Sequence, residues 1–377
     1  MSVGVAIIGS GVFVREKHLA AVQAAPSLTL KALFSRSLKS AEAVASEVSG
    51  VDLYSEDAGE GKGYSDLLAR PDIKGVIIAY ANPTGNHQSE PILLTENTPS
   101  LPIPAQPAYI KAALSAGKHV LSEKPIAKDV ASARELLQWY DSNIDKSKVT
   151  WGVAENFRFF ESFQYGAEKV KELGKVVAFS TRMHIYVKEG SKYHATSWRK
   201  NPTFQGGFLL DGGVHFIAAT RLLLSSSVDS VSAFTAQHLP HLPPVDTVDA
   251  VWRLPGGGAG TFSTSFAAPV GGPPEYRVVC ERGTVTAGFG AAPMSPAFVA
   301  VQRVGEEGGE GERKEFPETS FGVGPEVAAW GGRLEKGGGG GGVDERQKPE
   351  EALKDLEILE AMLRSGEQGG APVALQS

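Results

Sequence analysis

The sequence predicts an α/β protein of two domains: a parallel sheet with helices on both faces, then a C-terminal α/β domain with a largely antiparallel open sheet. Three observations predict this fold class. Apolar strands alternate with helices up to residue 156, a glycine turn directly follows the first strand, and from about residue 176 the strands are longer and show polar alternation. Alternating strands and helices are typical of a covered parallel sheet, and polar alternation is typical of an antiparallel one.

The elements of the first domain, residues 1–156, follow one another closely. Its strands are short apolar runs, and its helices have apolar residues three and four positions apart. The predicted order is strand 3–8, a helix through Val22, strand 28–34, helix 38–49, strand 72–80, a helix that stops at Gly117, the strand in "HVLSEKP", helix 129–140 and strand 149–156. The proline-rich segment 82–104 is predicted to be an insertion, because such connections usually take about 2 to 6 residues.

The second domain is predicted over residues 157–345. Its strand segments, joined by glycine-rich turns, are "VVAFSTRMHIYV", "DSVSAFTAQH", "AVWRL", "GTFSTSFAA" and "EYRVVC". A last helix, 349–364, carries a stripe of leucines and is predicted to dock on the body as part of a C-terminal segment, 346–377. The glycine-rich segments 305–313 and 336–348 are predicted to be mobile surface loops.

Composition and charge exclude several classes of function. The chain has 377 residues, 42% of them hydrophobic, and a net charge of −6, so a globular protein without a basic face for nucleic acid is indicated. Cys280 is its only cysteine, which excludes an intrachain disulfide and suits a reducing compartment. No segment is apolar over the ~20 residues of a membrane span, and no signal-peptide pattern is present. We therefore expect a cytoplasmic protein without nucleic-acid or membrane partners.

A nucleotide-binding turn is predicted between the first strand and the first helix, at Gly9, Ser10, Gly11, Val12 and Phe13. The first glycine permits the tight turn, the second lets the backbone approach a pyrophosphate, and the helix N-terminus offers N–H groups to the anion. This pattern indicates a Rossmann dinucleotide-binding domain, although Val14 stands where the pattern prefers Gly or Ala. A glycine turn without a ligand is the alternative.

The end of the second strand predicts NADP rather than NAD as the cofactor. An NAD site usually has a carboxylate there for the ribose hydroxyls, whereas this chain has Ser35 and Arg36. A hydroxyl and a guanidinium group can bind a 2′-phosphate. The alternative is that Arg36 is an ordinary solvated arginine.

Two further motifs carry candidate catalytic groups. Lys124 stands at the end of a strand, where Pro125 fixes the backbone and an ammonium group can stabilise charge on a substrate oxygen. Asp211 and His215 are four residues apart at the start of an apolar helix, so their side chains leave one face. A neutral imidazole can accept the proton of an alcohol that is oxidised, and a carboxylate can orient it. In isolation, an exposed lysine and a structural histidine are the favoured interpretations of these residues.

The sequence resembles the Gfo/Idh/MocA family, which includes glucose-fructose oxidoreductase and inositol 2-dehydrogenase. The motifs that carry the resemblance occur in the family's order from residue 3 to about residue 224, and they are "AIIGSGVF", "AGKHVLSEKPIA", "WGVAENFRF", "TSWRKNP" and "GGFLLDGGVH". The resemblance implies an N-terminal dinucleotide-binding domain and a C-terminal α/β domain whose open sheet often forms a homodimer interface.

The resemblance also implies roles for single residues. Lys124 matches the family's lysine near nicotinamide and substrate, Asp211 its aspartate, and His215 the histidine usually assigned acid/base duty. Glu123 is implied at the edge of the cofactor. The residues implied for the substrate pocket and its rim are Asn156, Trp198 and Arg199.

Several polar residues stay unassigned or open. Asn82 and His87 lie in the predicted insertion and are not assigned to the cofactor site. His238 and His241 have the spacing of a metal pair, but no second cluster joins them, so no metal site is predicted. The remaining candidates could reach a polar substrate and equally fit ordinary loop and strand positions; they are His184 and His194.

The sequence thus predicts an NADP-dependent oxidoreductase that moves hydride between nicotinamide and a CH–OH or carbonyl carbon of a small sugar, polyol or related carbonyl compound. His215 would take the hydroxyl proton, Lys124 would steady the oxygen charge, and Asp211 would hold the histidine. Which of Lys124 and His215 carries the proton stays open. Two alternatives are a non-catalytic NADP-sensing regulator of the same fold, and an enzyme that retains its cofactor and cycles it between two substrates.

Overall fold

The computed structural model describes residues 2–79, 103–191, 194–290, 297–306, 311–317, 320–337 and 342–375. Asn82, His87 and most of the predicted insertion lie outside these residues, as do parts of both glycine-rich segments. The chain divides into two compact units, which are described separately. The first comprises Met1–Ala127, Ala131–Ala154 and Val323–Glu350, and the second comprises Lys128–Val130, Glu155–Gly322 and Glu351–Ser377.

The first unit contains a six-stranded sheet that is all-parallel, as predicted, although one of its strands, Asp52–Ser55, was not among the predicted ones. Its strands are β1 (Val3–Ile8), β2 (Leu28–Ser35), β3 (Asp52–Ser55), β4 (Gly75–Ile78), β5 (His119–Glu123) and β6 (Trp151–Ala154). Their order in the sheet is β3-β2-β1-β4-β5-β6, with every neighbouring pair parallel. In this dinucleotide-binding topology, ligands bind outside the carboxyl ends of the strands, where the order reverses between β1 and β4.

The second unit contains a nine-stranded sheet that is antiparallel except for the parallel pair of β7 and β10. Its strands are β7 (Val176–His184), β8 (Ser230–Ala236), β9 (Thr247–Arg253), β10 (Ala259–Ser265), β11 (Glu275–Cys280), β12 (Gly283–Phe289), β13 (Ala297–Arg303), β14 (Glu312–Phe316) and β15 (Val373–Ala374). Their order is β14-β13-β12-β11-β7-β10-β9-β8-β15. The predicted fold class, with its largely antiparallel second sheet, is confirmed.

The helices of the described chain are α1 (Leu19–Ala24), α2 (Leu38–Ala45), α3 (Tyr64–Leu68), α4 (Gln106–Ser115), α5 (Val130–Asn143), α6 (Glu161–Leu173), α7 (Ser197–Lys200), α8 (Val214–Leu224), α9 (Val323–Glu335) and α10 (Pro349–Glu367). Two π-helical turns, Val14–His18 and Leu209–Gly213, directly precede α1 and α8. Within the part of the chain that is described, no helix is both long enough and apolar enough to cross a membrane.

α9 lies within the range predicted for the second domain, residues 157–345, but it belongs to the first unit. This helix groups with the first unit, where Trp330 packs so closely on β4 that a Cβ atom on Gly75 would lie 2.9 Å from the indole. Val327 and Trp330 belong to the same buried cluster as Val5 and Ile7 of β1. The burial of this apolar face against β1 therefore returns the chain to the first unit.

Three local boundaries also differ from expectation. The predicted strand 149–156 ends at Ala154, and Asn156–Phe159 form a 3-10 turn. The predicted loop 336–348 contains a 3-10 turn, Glu345–Gln347, whose Gln347 is buried. In the other glycine-rich segment, β14 already begins at Glu312. Local hydrogen bonding and burial fix these ends, and neither is visible in the composition of the segments.

Candidate active site

The predicted nucleotide-binding turn lies at the carboxyl end of β1. Gly9 has φ 130°, a backbone conformation that favours glycine, and its N–H donates to the carbonyl of Phe34 at 2.8 Å. The hydroxyls of Ser10 and Ser35 are 2.8 Å apart and buried, so the structure brings together two of the predicted cofactor residues. Helical backbone then begins at Val12 and Phe13, ahead of the π-helical turn that precedes α1. The first residue of that turn, Val14, is fully buried.

Arg36 follows β2 and is half-buried. Burial lowers the pKa of its guanidinium group, an effect opposed by the nearby Glu56 and Tyr109. Its Nη2 atom is buried and has no hydrogen-bond partner among the described residues. Because a buried N–H donor without a partner is unfavourable, this guanidinium group fits a site for an anion such as a 2′-phosphate.

A carboxylate that the sequence reasoning missed also lies near the carboxyl ends of β2 and β3. Asp57 accepts hydrogen bonds from the Ser55 hydroxyl and from the backbone N–H of Leu38, both at 2.6 Å. The hydrogen bond from Ser55 is the main cause that lowers the pKa of Asp57. Asp57 was not predicted as a site residue because NAD sites usually carry their acid at the end of the second strand, whereas Asp57 follows the third.

Glu123, at the end of β5, is buried rather than open at a surface. Its Oε1 atom lies 2.7 Å from Nε2 of His18, which is fully buried on the first π-helical turn. The ring of Phe13 packs edge-on against that imidazole at 5.3 Å. Lys124 follows, is half-buried, and forms a cis peptide bond with Pro125. Sequence reasoning missed His18, since 105 positions separate the two partners.

In the second unit, the structure brings together three predicted residues. Nε of Arg199 donates to Oδ2 of Asp211 at 2.6 Å, and the side chains of this pair are only 10% and 9% exposed. The Arg199 guanidinium group also lies over the ring of Trp198, 4.2 Å from its centroid. α7 supplies Trp198 and Arg199, and the second π-helical turn supplies Asp211. π-helical turns of this kind often mark functional sites.

His215 lies on α8, and its ring nitrogen Nδ1 is hydrogen-bonded to a residue that the sequence reasoning missed. Its Nδ1 atom lies 2.6 Å from Oε1 of Glu155, whose side chain is 1% exposed. The Phe157 ring stacks on the imidazole at 4.7 Å, with 17° between the planes. The sequence had given the role of holding His215 to Asp211, whereas the structure gives this contact to Glu155. The available signal was a carboxylate directly after the buried strand β6.

The other candidate residues have mainly structural contacts. Asn156 is buried and donates through Nδ2 to the carbonyl of Phe321 at 2.7 Å. His194 accepts from the Gly190 N–H at Nδ1 and donates from Nε2 to the carbonyl of His241, each at 3.0 Å. His184 contacts the Ser263 hydroxyl at 2.8 Å. Among the described residues, no three His, Cys, Asp or Glu side chains are grouped as a metal site would require.

Comparisons with known proteins find relatives of both parts of the chain. The model of the oxidoreductase family with an NAD-binding Rossmann fold matches residues 3–149, and that of the GFO/IDH/MocA C-terminal domain matches residues 169–286. The chain is 37% identical over 375 residues to the dehydrogenase FPY6 of Fusarium mangiferae, which covers 98% of each chain.

Two further relatives extend the comparison. The chain is 29% identical over 265 residues to D-xylose 1-dehydrogenase (NADP(+)) 2 of Haloferax volcanii, which covers 70% of this chain and 75% of that protein. The crystal structure of an oxidoreductase from Thermotoga maritima superimposes with a TM-score of 0.78 at 26% identity, covering 99% of this chain and 98% of that one. The dinucleotide-binding fold and the oxidoreductase character are therefore shared with these proteins.

Proposed function

The chain belongs to the Gfo/Idh/MocA family of oxidoreductases, and we propose that it is an NADP-dependent enzyme that acts on a CH–OH or carbonyl carbon of a small sugar, polyol or related compound. The observation that carries this proposal is the hydrogen bond between Nδ1 of His215 and Glu155. It leaves the second ring nitrogen to accept or return the proton of a substrate hydroxyl, as oxidation and reduction at such a carbon require.

The preference for NADP rests on Arg36, Ser10 and Ser35. The unsatisfied guanidinium N–H and the two hydroxyls offer donors to a 2′-phosphate, and the relative from Haloferax volcanii is named for NADP. Asp57 accepts both of these hydrogen bonds at Oδ1, so its carboxylate keeps acceptor capacity, and the preference for NADP rests on Arg36 rather than on the lack of an acid. When bound, the cofactor supplies or accepts the hydride.

The chain's own residues would handle the proton and the charge. In oxidation, the hydride leaves the substrate carbon, the hydroxyl proton passes to Nε2 of His215, and a carbonyl group forms. Lys124 would stabilise the negative charge that develops on the oxygen. Asp211 is engaged by Arg199, and this ion pair next to Trp198 would contact the substrate. A cytoplasmic location belongs to the same proposal, and the buried thiol of Cys280 suits it.

The cofactor preference is tested by titrating the protein with NADPH and with NADH, followed by nicotinamide fluorescence. We expect Arg36→Ala to weaken NADPH binding by about 10- to 100-fold, because a charge-assisted contact contributes about 1.5–3 kcal/mol, and to leave NADH binding unchanged. Arg70→Ala is the matched control, since Arg70 pairs with Asp52 and Asp72. Equal loss for both nucleotides, or no loss for either, would contradict the assignment.

The catalytic half of the proposal is tested with a panel of aldoses, polyols and their carbonyl counterparts, beginning with D-xylose and NADP. Substrate-dependent change in nicotinamide absorbance would support turnover. Tight NADPH binding without turnover across the panel would instead favour the regulatory alternative. NADP that co-purifies with the protein and is reduced and reoxidised by two different substrates would favour an enzyme that retains its cofactor.

A further inference from the structure

The contacts of His215 hold its imidazole from two directions. Glu155 engages Nδ1 at 2.6 Å in a hydrogen bond, and Phe157 covers one face of the ring with nearly parallel planes. Both contacts come from neighbouring positions of one short segment after β6. This segment therefore fixes the rotation of the imidazole as well as its location.

The Glu155 carboxylate is itself held in place. Its Oε1 atom also accepts the backbone N–H of Phe157 at 3.1 Å, so the same oxygen contacts this N–H and Nδ1 of His215. A carboxylate oxygen has the lone pairs for both contacts, and as a carboxylate it can only accept from the imidazole. The surroundings are buried, since the side chain of Glu155 is 1% exposed and the neighbouring Tyr276 is also buried.

The turn that carries these two residues is anchored on both sides. Asn156 donates to the carbonyl of Phe321, and Arg158 forms a buried ion pair with Asp355. Because Asp355 is also bound by Arg221 at 2.6 Å, the turn is tied to α8, which carries His215, and to α10. A carboxylate supported in this way can hold an imidazole in one orientation, as second partners of functional histidines do.

We propose that Glu155 is the positioning residue of His215: it fixes the proton on Nδ1, so that Nε2 is the unprotonated nitrogen that exchanges the substrate proton. The inference rests on the proposed function for its catalytic meaning, but the tautomer itself does not depend on a substrate. A carboxylate that served only to cap the 3-10 turn would need the Phe157 N–H alone. The short contact with His215 is what distinguishes the two roles.

The tautomer is measured directly by long-range ¹H–¹⁵N spectra of the full chain labelled at histidine, recorded at alkaline pH with and without NADP. His215→Asn identifies the signals of His215. We expect one tautomer with the proton on Nδ1. In Glu155→Gln we expect a mixture, because an amide can either accept from Nδ1–H or donate to an unprotonated Nδ1. Glu161→Gln, at an exposed position a few residues further on, should leave the spectrum unchanged.

The kinetic measurement uses a substrate that the panel identifies. Glu155→Gln should lower kcat by about 100-fold, part of the about 10²- to 10⁴-fold that a positioned acid–base group contributes, and should leave NADPH affinity unchanged. A proton on Nε2 in the wild-type spectrum would overturn the inference, as would a variant with wild-type tautomer and kcat. If Glu155→Gln does not fold, the wild-type spectrum still decides. An Nδ1–H tautomer together with no turnover of any substrate in the panel would contradict the proposed function but not this inference.

Discussion

His215 and His18 each contact a buried glutamate that stands at or directly after the end of a parallel strand. Glu155 is 60 positions from His215 in the chain, and Glu123 is 105 positions from His18. Neither pair has a signature in the spacing of the sequence, since only the fold brings such partners together. Asp211, by contrast, lies four residues before His215, and that local spacing made it the predicted partner. Local spacing therefore pointed to Asp211 and gave no sign of Glu155.

At this scale the clearest prediction concerns His215→Asn. The variant loses the ring nitrogen that would exchange a proton, so kcat should fall by about 10²- to 10⁴-fold while NADPH binding is retained. Steady-state kinetics and nicotinamide fluorescence measure the two effects separately. His238→Asn is the control, because His238 is exposed. Undiminished turnover in His215→Asn would mean that another group exchanges the proton, and Lys124 would be the first candidate.

At the scale of elements, the turn after β6 depends on a glycine from a distant segment. Gly322 has φ 75°, and a Cβ atom there would lie 2.2 Å from the backbone oxygen of Asn156. Gly322→Ala therefore adds a backbone clash to an unfavourable conformation, and we expect it to lower the free energy of unfolding by about 2–4 kcal/mol. The displaced turn should also lower kcat, because it carries Glu155 and Phe157.

Gly337→Ala is the matched control for that substitution. Gly337 also has a positive φ, 93°, but no atom lies within 4 Å of the position of an added Cβ. We expect a loss of only about 1 kcal/mol and unchanged kcat. Thermal and urea unfolding followed by circular dichroism compare the two variants. Equal losses in both would mean that the clash with Asn156 is relieved at no cost.

Much of the element structure could be predicted, because strands and helices follow from local periodicity. The glycine turn, the strand before Lys124 and the leucine stripe of α10 are such cases, and Leu356, Leu359 and Leu363 are indeed buried. The π-helical turns could not be predicted, since a spacing of four residues places side chains on one face in an α-helix as well. The packing of α9 in the first unit could not be predicted either, because the sequence of an amphipathic helix does not indicate which hydrophobic core it packs against.

At the scale of the whole molecule, the open face of the nine-stranded sheet is the surface on which the predicted homodimer would form. A register row of outward-facing side chains crosses it, while the residues next to them along each strand are buried, except for the half-buried Gly260. The row consists of Ser232, Val251, Thr261, Ser180, Arg277, Thr286 and Ala300. Small side chains predominate in it, four of them bearing hydroxyl groups, and 48% of Val251 is exposed.

We propose that this face pairs with the same face of a second copy. A two-fold axis brings every substitution into the interface twice, so Val251→Lys would replace two exposed apolar side chains by two ammonium groups that burial disfavours. We expect the wild-type chain to sediment as a dimer and Val251→Lys to raise its dissociation constant by about 10-fold or more, which corresponds to about 1.4 kcal/mol. Analytical ultracentrifugation over a dilution series measures both constants. Val304→Lys is the matched control, because Val304 is 70% exposed in a turn beyond β13. A monomeric wild-type chain, or equal constants for the two lysine variants, would contradict this use of the open face.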